Sequence, residues 1–192
     1  MAVNGKAKGS SFERKIANAL SARFETKLGI KNGFRRNPDS GSFFGGGNKV
    51  RTESYSLDYA IFGDLICPRD FAYSVECKHY KKPPSVQSWL NHTVTQWDQW
   101  LAQAAQDAAS SNRKMVLIVK YNNVDEMVFL REPIAGKYHN RYRDYYVHSL
   151  TEWMGQDDAM FFLDNGENLT VSATVLNVEL THEERADGSQ ED

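Results

Sequence analysis

Apolar residues recur at every fourth position near the start of the chain. They are Phe12, Ile16, Leu20, Phe24 and Leu28. Side chains with this spacing share one face of a helix, so the pattern predicts an amphipathic helix packed on a core. We expect it to begin at Ser10 and to end at Gly29 or Gly33, because glycine commonly follows the last helical turn.

Two short apolar segments follow, with a brief polar break between them. Residues 61–66 and 73–78 have the length and composition of buried strands, and we interpret them as a β-hairpin. Because side chains alternate between the two faces of a strand, Glu76 and Lys78 are predicted to point the same way. Asp64 comes from the partner strand, so two carboxylates and one ammonium are expected to converge.

The second half of the chain again mixes helical and strand patterns, which predicts an α/β protein. A helix is expected from about Ser85 or Thr93 to Ala109. The continuous apolar run at 115–121 is typical of a buried strand. The further predicted elements are a turn at Asn122-Asn123, a strand over 124–130, a short helix over 149–154, and strands over 161–163 and 169–180.

Length and composition indicate one domain, and a core with an appendage is the alternative. At 192 residues the chain can bury a core. It shows no signal-peptide pattern, and the apolar run Met115–Val119 is far too short to cross a bilayer. We therefore expect a cytoplasmic protein, in the host cytoplasm if a phage encodes it, with no membrane partner. Cys67 and Cys77 match no zinc spacing and are expected to be reduced apolar residues.

Charge is distributed unevenly along the chain. Residues 1–51 contain 11 Lys and Arg against 3 Asp and Glu, whereas the remainder contains 12 against 22. This asymmetry suggests a basic surface that meets an anion, although the acidic tail contributes to it. Within the basic part, the glycines at 45–47 with Lys49 and Arg51 would suit a phosphate backbone. A mobile surface loop is the alternative.

Basic and aromatic residues alternate over residues 136–146. Rings that stack on bases and cations that meet phosphates would make this segment part of a nucleic-acid surface. An ordinary loop with an edge strand explains the same pattern, and both interpretations stay open.

The strongest candidate for chemistry is the group Asp64, Glu76 and Lys78. Two carboxylates forced together are normally neutralised, and a hard divalent cation does this well. The apolar flanks indicate burial, where a charge without a partner is costly. A solvated Glu–Lys pair on an exposed strand is the alternative. Glu13 also has two explanations, because it borders the apolar helix face and completes a capping-box pattern with Ser10.

The ordered set of motifs resembles the PD-(D/E)xK nuclease superfamily, and within it the archaeal-type (Hjc-like) Holliday junction resolvases and their phage relatives. The motifs are Glu13 on the first helix, Arg36, Ser40-Gly41-Ser42, Gly63-Asp64, Glu76-Cys77-Lys78 and a glutamine-bearing helix. The resemblance covers about residues 10–130. One departure is Gly63, where the family more often has proline.

The resemblance implies a restriction-endonuclease-like nuclease core over residues 10–130, with a central mixed β-sheet flanked by helices. It does not account for residues 131–192. We expect residues 131–180 to form a C-terminal β-rich extension packed on the core. Composition predicts a flexible basic arm over 1–9 and a disordered acidic tail over 181–192.

The resemblance also implies roles for individual residues. Asp64, Glu76 and the backbone carbonyl of Cys77 would bind Mg²⁺ or Mn²⁺, and Glu13 would hold a metal-bound water or a second ion. Lys78 would orient the attacking water, so the catalytic set is Glu13, Asp64, Glu76 and Lys78. The implied DNA-binding residues are Arg35, Arg36, Ser40, Ser42, Lys49 and Arg51, with Gln96 or Gln99 as a possible auxiliary.

The expected function is a metal-dependent endonuclease that cuts branched DNA as a homodimer, which would make the protein a Holliday junction resolvase. A restriction-like or recombination nuclease of the same fold is the second hypothesis. A non-catalytic DNA-binding or virion protein is the third, and the intact Asp64, Glu76 and Lys78 argue against it.

Overall fold

The structure, a computed structural model, describes residues 5–38, 59–136 and 140–163. Within these ranges the chain forms a five-stranded mixed sheet, a smaller antiparallel sheet of three strands, and helices packed on them. This confirms the predicted α/β fold class, with a mixed central sheet flanked by helices.

The α-helices of the described residues are α1 (Gly5–Arg23), α2 (Glu25–Leu28), α3 (Val86–Leu90), α4 (Thr95–Ser110) and α5 (Leu150–Met154), and a 3₁₀ turn follows at Asp158–Met160. Among these, α1 and α4 are long and the others are short. The strands are β1 (Arg35–Arg36), β2 (Tyr59–Phe62), β3 (Leu65–Pro68), β4 (Tyr73–Tyr80), β5 (Lys114–Tyr121), β6 (Met127–Leu130), β7 (Asn140–Tyr142) and β8 (Tyr145–Ser149). The larger sheet has the order β4-β5-β6-β8-β7 and the smaller one β1-β3-β2.

The apolar stripe at the start of the chain forms α1, but the helix begins earlier than predicted. It starts at Gly5, so residues 5–9 of the expected arm are helical, and Ser10 lies inside the helix. The predicted capping box is therefore wrong, because an interior residue cannot cap the first turn. The N-terminal helical region, α1 followed by α2, ends at Gly29, which is one of the two predicted glycines and adopts φ 67°.

The five-stranded sheet separates two apolar layers. Alternate residues of β5 face opposite sides, so Val116 and Ile118 pack with α1 while Leu117 and Val119 pack with α4. On the α1 side, Phe12, Ile16 and Leu20 supply the helical contribution. On the α4 side, the corresponding residues are Trp97, Trp100, Leu101, Ala104 and Ala108. Helices thus cover both faces of the sheet and exclude water from its middle strands.

The hairpin expected between residues 61–66 and 73–78 is wrong. The first segment is itself a hairpin, because β2 turns at Gly63-Asp64 and pairs antiparallel with β3. β4 instead pairs in parallel with β5 in the other sheet. The two sheets meet where Gly63 and Val75 form an isolated parallel bridge.

The second half follows the predicted order with changed boundaries. The predicted helix from residue 85 or 93 is two helices, α3 and α4, separated by a turn in which His92 has φ 53°. The strands at 115–121 and 124–130 are confirmed as β5 and a shorter β6, and the short helix at 149–154 is confirmed as α5. The strand predicted at 161–163 is wrong, since only one bridge, between Phe162 and Phe71, forms there.

The segment 136–146 contains β7 and the start of β8, which pair as a tight hairpin through Arg143-Asp144. This hairpin belongs to the same sheet as β4, β5 and β6. The hairpin turn contacts α4 and the turn before it. Arg143 forms an ion pair with Asp98 of α4 at 2.7 Å, and the Arg143 amide donates to Nδ1 of His92 at 3.1 Å.

Several predictions lie outside the described residues: the Gly-rich segment 45–47, residues 137–139, the strand at 169–180 and the tail at 181–192. Within the described ranges, no helix combines the length and the apolar character needed to span a membrane.

Candidate active site

The turn between β2 and β3 is built to present Asp64. Gly63 has φ 70°, and a Cβ at this position would collide with the carbonyl oxygen of Val75. That close approach lets the Asp64 amide donate to the Val75 carbonyl at 2.8 Å. The amide of Asn37 donates to the Asp64 carbonyl at 2.8 Å and holds the turn from the other side. Glycine is thus required here, and proline, with φ fixed near −65°, could not form this turn.

The Asp64 side chain bridges the two sheets. Its Oδ2 accepts a hydrogen bond from the backbone amide of Cys77 at 2.8 Å. Cys77 lies between Glu76 and Lys78 on β4, so this one contact brings the carboxylate from the β2–β3 turn beside both residues. The predicted convergence is therefore present, although the pairing that produces it is not the predicted hairpin.

Glu76 and Lys78 share one face of β4, as the alternation of the strand requires. Lys78 Nζ lies 2.5 Å from Oε1 of Glu76. Glu76 is only 4% exposed, which excludes the solvated surface pair considered above. The paired residue on β5 is Leu117, a member of the apolar layer under α4, so the charged pair points toward α4.

The electrostatics of this cluster are unfavourable to its negative charges. Burial raises the pKa of Asp64, and the carboxylates of Glu76 and Glu13 raise it further. Burial also raises the pKa of Glu76, although the Lys78 ammonium opposes that shift. For Lys78, burial lowers the pKa, but the Glu76 and Asp64 carboxylates together outweigh burial, and the net shift of the pKa is upward. A bound cation would relieve the repulsion between the carboxylates.

Glu13 reaches the cluster from α1. It is buried, and its Oε2 accepts a hydrogen bond from Nε of Arg36 at 2.6 Å. The structure therefore pairs two residues that the sequence placed in separate motifs. Arg36 is half-buried, whereas the neighbouring Arg35 is exposed. The remaining candidates for DNA contact, Ser40, Ser42, Lys49 and Arg51, lie outside the described residues.

The glutamine of α4 that contacts the cluster is Gln103. Its Oε1 accepts a hydrogen bond from Lys78 Nζ at 3.3 Å. The predicted auxiliaries Gln99 and Gln96 lie one and two turns earlier, and neither takes part in the hydrogen bonds that the described residues make around Lys78. Asp107, one turn after Gln103, is the second residue that the sequence did not single out. Burial raises the pKa of Asp107 more than the Lys78 charge and the contact with Gln103 lower it, so the net shift is upward.

A divalent metal fits the donor chemistry of this cluster, but the side chains do not form a ready-made cage. Asp64 and Glu76 supply buried carboxylate oxygens, the ligands that Mg²⁺ and Mn²⁺ prefer. Among the described residues, no three Asp, Glu, His or Cys side chains are grouped closely enough to hold an ion. A ligand set of two carboxylates thus needs a further oxygen, and the Cys77 carbonyl is the neighbouring backbone candidate.

The chain was compared with protein families, with curated proteins and with solved structures. Residues 4–160 match the sequence model of a family described as "Phage putative PDDEXK endonuclease". Among solved structures, the chain is similar to Hjc from Archaeoglobus fulgidus, a Holliday junction resolvase from an archaeal hyperthermophile. That alignment covers 76% of this chain and 91% of the archaeal one, with 13% identity and a TM-score of 0.34. No significant match is found among curated proteins.

Proposed function

The chain belongs to the phage PDDEXK endonuclease family and is a nuclease, and from this premise we propose that it is a Mg²⁺-dependent DNA endonuclease with Asp64, Glu76 and Lys78 at its catalytic centre. The observation that carries the proposal is the 2.8 Å hydrogen bond from the Cys77 amide to the Asp64 carboxylate. It brings together the two parts that a PD-(D/E)xK centre needs, an aspartate at a turn and a Glu-x-Lys strand, in one buried volume.

Asp64, Glu76 and the Cys77 carbonyl would hold the metal ion. A bound Mg²⁺ would polarise a phosphoryl oxygen and supply a hydroxide-like nucleophile at neutral pH. The protein contributes a buried, preorganised set of oxygens, because the Cys77 amide fixes the Asp64 carboxylate and the Lys78 ammonium pairs with the Glu76 carboxylate.

Lys78 would place its ammonium beside the reacting phosphate. Its pairing with Glu76 and Gln103 keeps the charge on the face of β4 that carries the carboxylates. A fixed cation at this position stabilises negative charge that develops on the phosphoryl oxygens during hydrolysis. Glu13, held by Arg36, would hold a metal-bound water or a second ion.

The DNA strand would be held by Arg35, Arg36, Ser40, Ser42, Lys49 and Arg51. Arg35 is exposed, as a phosphate contact requires. The substrate we propose is a branched four-way junction, cut by a homodimer, since two symmetric sites are suited to nicking two strands.

The test compares three DNA substrates of matched sequence: a synthetic four-way junction, a linear duplex and a single strand. We expect Mg²⁺ to support cleavage of the junction in preference to the duplex. Glu76→Gln and Lys78→Ala should each reduce cleavage about 10²- to 10³-fold, because each removes a preorganised charge from the reaction. Binding to the junction in Ca²⁺ should persist in both variants.

Glu132→Gln is the matched control, because Glu132 is an exposed glutamate that pairs with Lys114 away from the cluster. Equal cleavage of duplex and junction would favour a restriction-like or recombination nuclease. Binding without cleavage under any divalent ion would contradict the catalytic proposal and favour a non-catalytic DNA-binding protein. Sedimentation of the free protein as a monomer would contradict the dimer.

A further inference from the structure

We propose that Asp107 is a positioning residue that acts on Lys78 through the side chain of Gln103. The inference rests on the proposed function, because Lys78 is the proposed catalytic lysine. Asp107 is a residue that the sequence motifs did not single out. Asp107 and Gln103 both lie on α4, the helix that covers the charged face of β4.

The first link is between β4 and α4. Lys78 Nζ lies 2.5 Å from Glu76 Oε1 and donates to Gln103 Oε1 at 3.3 Å. The ammonium is therefore held between an acceptor on its own strand and an acceptor on the helix. A lysine side chain has four rotatable bonds, so a second anchor restricts its position substantially.

The second link lies within α4. Asp107 is four residues after Gln103, a spacing at which Gln–Asp pairs interact on a helix surface. The contact between the two side chains lowers the pKa of Asp107 against the larger effect of burial, which places the Gln103 amide beside the carboxylate. An ionised carboxylate only accepts hydrogen bonds, so it engages the NH₂ group of the amide. The Oε1 atom of Gln103 is thereby left facing Lys78, which is the orientation that the ammonium requires.

This arrangement matters because Glu76 has two tasks. Its carboxylate is the closest partner of Lys78, and it is also one of the proposed metal ligands. If Glu76 binds a cation, Lys78 needs an anchor that is not itself a metal ligand. Gln103 provides the acceptor and Asp107 provides the negative charge behind it, so the ammonium stays on the reacting side of β4.

The first measurement is the acylation rate of Lys78 in the metal-free protein. Trace labelling with an acetylating reagent, followed by peptide mass spectrometry, reports how free each amine is. We expect Asp107→Asn and Gln103→Leu each to raise the rate at Lys78 about three- to tenfold, as the loss of one hydrogen-bonded anchor implies. Because the two residues act in series, the double variant should match the single variants. Asp107→Glu should stay near the wild-type rate.

The second measurement is cleavage of the four-way junction under Mg²⁺. Asp107→Asn should lower kcat by a similar factor and leave KM unchanged, because Asp107 contacts Gln103 and not DNA. Asp125→Asn is the control, since it removes one exposed carboxylate from the β5–β6 turn. Thermal unfolding of each variant identifies any loss of folding, and Gln103→Leu supplies a second variant if Asp107→Asn is unstable.

Unchanged Lys78 acylation in both Asp107→Asn and Gln103→Leu would overturn the inference, whatever the cleavage rates. Faster acylation with an unchanged kcat would also overturn the positioning role. A wild-type protein that cuts no DNA would instead remove the proposed function, and the acylation rates would still decide whether Asp107 controls Lys78.

Discussion

At the scale of single residues, Asp64 is a charged group that the metal-free fold accommodates poorly. Burial and two neighbouring carboxylates raise its pKa. A carboxyl whose pKa is higher in the folded state than in the unfolded state stabilises the fold most when protonated. That contribution is fully present below the unfolded pKa and is lost as pH rises through the raised folded pKa.

Asp64→Asn should therefore stabilise the metal-free protein at neutral pH by about 1–3 kcal/mol, the usual penalty for a buried group with unsatisfied solvation. The side-chain oxygen of the asparagine can still accept the hydrogen bond from the Cys77 amide. The gain should vanish below about pH 4, where the wild-type carboxyl is protonated. Urea unfolding in EDTA at both pH values measures this difference. Adding Mg²⁺ should stabilise the wild type and not the variant, and an equal effect on both would contradict the metal site.

A second prediction concerns the cost of replacing Gly63 by alanine, with Gly136 as the matched control. Gly63 and Gly136 both have φ 70°, but only Gly63 approaches another backbone group. Alanine at either position should cost about 1 kcal/mol for the left-handed conformation. Gly63→Ala should cost several kcal/mol more, because its Cβ meets the Val75 carbonyl. Equal losses in urea unfolding would show that the turn can relax, and the described approach of the two sheets would then be wrong.

At the scale of elements, strand alternation identified the shared face of Glu76 and Lys78 correctly, because it depends only on local geometry. The pairing of strands did not follow from the sequence. Residues 61–66 look like one apolar strand, yet Gly63 turns the chain back within the run. Gln103 was missed for a related reason. Four glutamines lie along α4, and the packing of this helix on β4 determines which one meets Lys78.

The start of α4 depends on the edge hairpin. The Tyr142 hydroxyl accepts from the Val94 amide at 2.9 Å and lies 2.9 Å from Oδ1 of Asp98. Val94 is the N-cap residue of α4, and its side chain makes no capping hydrogen bond. Tyr142 on β7 instead provides the acceptor for the Val94 amide.

Tyr142→Phe should destabilise the protein by about 1–2 kcal/mol, because it leaves a buried backbone amide without an acceptor. Tyr80→Phe is the control, since Tyr80 is 43% exposed. Thermal unfolding compares the two. If both variants unfold at the same temperature as the wild type, the hydroxyl of Tyr142 has no capping role.

At the scale of the whole molecule, sequence analysis predicted the fold class because hydrophobic periodicity reports which elements have a buried face. It also showed that 11 of the 23 Lys and Arg residues, but only 3 of the 25 Asp and Glu residues, lie in the first 51 positions. It could not predict that the segment 140–149 extends the same sheet as β4, since cross-strand order depends on contacts between residues far apart in the chain.

The basic part of the chain leads to a prediction about salt. Junction binding in Ca²⁺ should weaken steeply as salt rises, because each neutralised phosphate releases counterions. The double variant Lys49→Gln/Arg51→Gln should reduce the slope of log K against log salt by about 2, one for each lost phosphate contact. The control is Arg131→Gln, which removes an exposed cation outside the basic part. An unchanged slope in the double variant would contradict a DNA-binding role for Lys49 and Arg51.

The contact between Gly63-Asp64 and β4 has a consequence for the life of the protein in a cell. Asp64 and Glu76 come from different sheets, and their carboxylates meet only when the turn docks against Val75 and Cys77. A nascent or partly unfolded chain therefore lacks the complete centre proposed above. If that centre cuts DNA, cutting in a cell begins only after the two sheets have assembled.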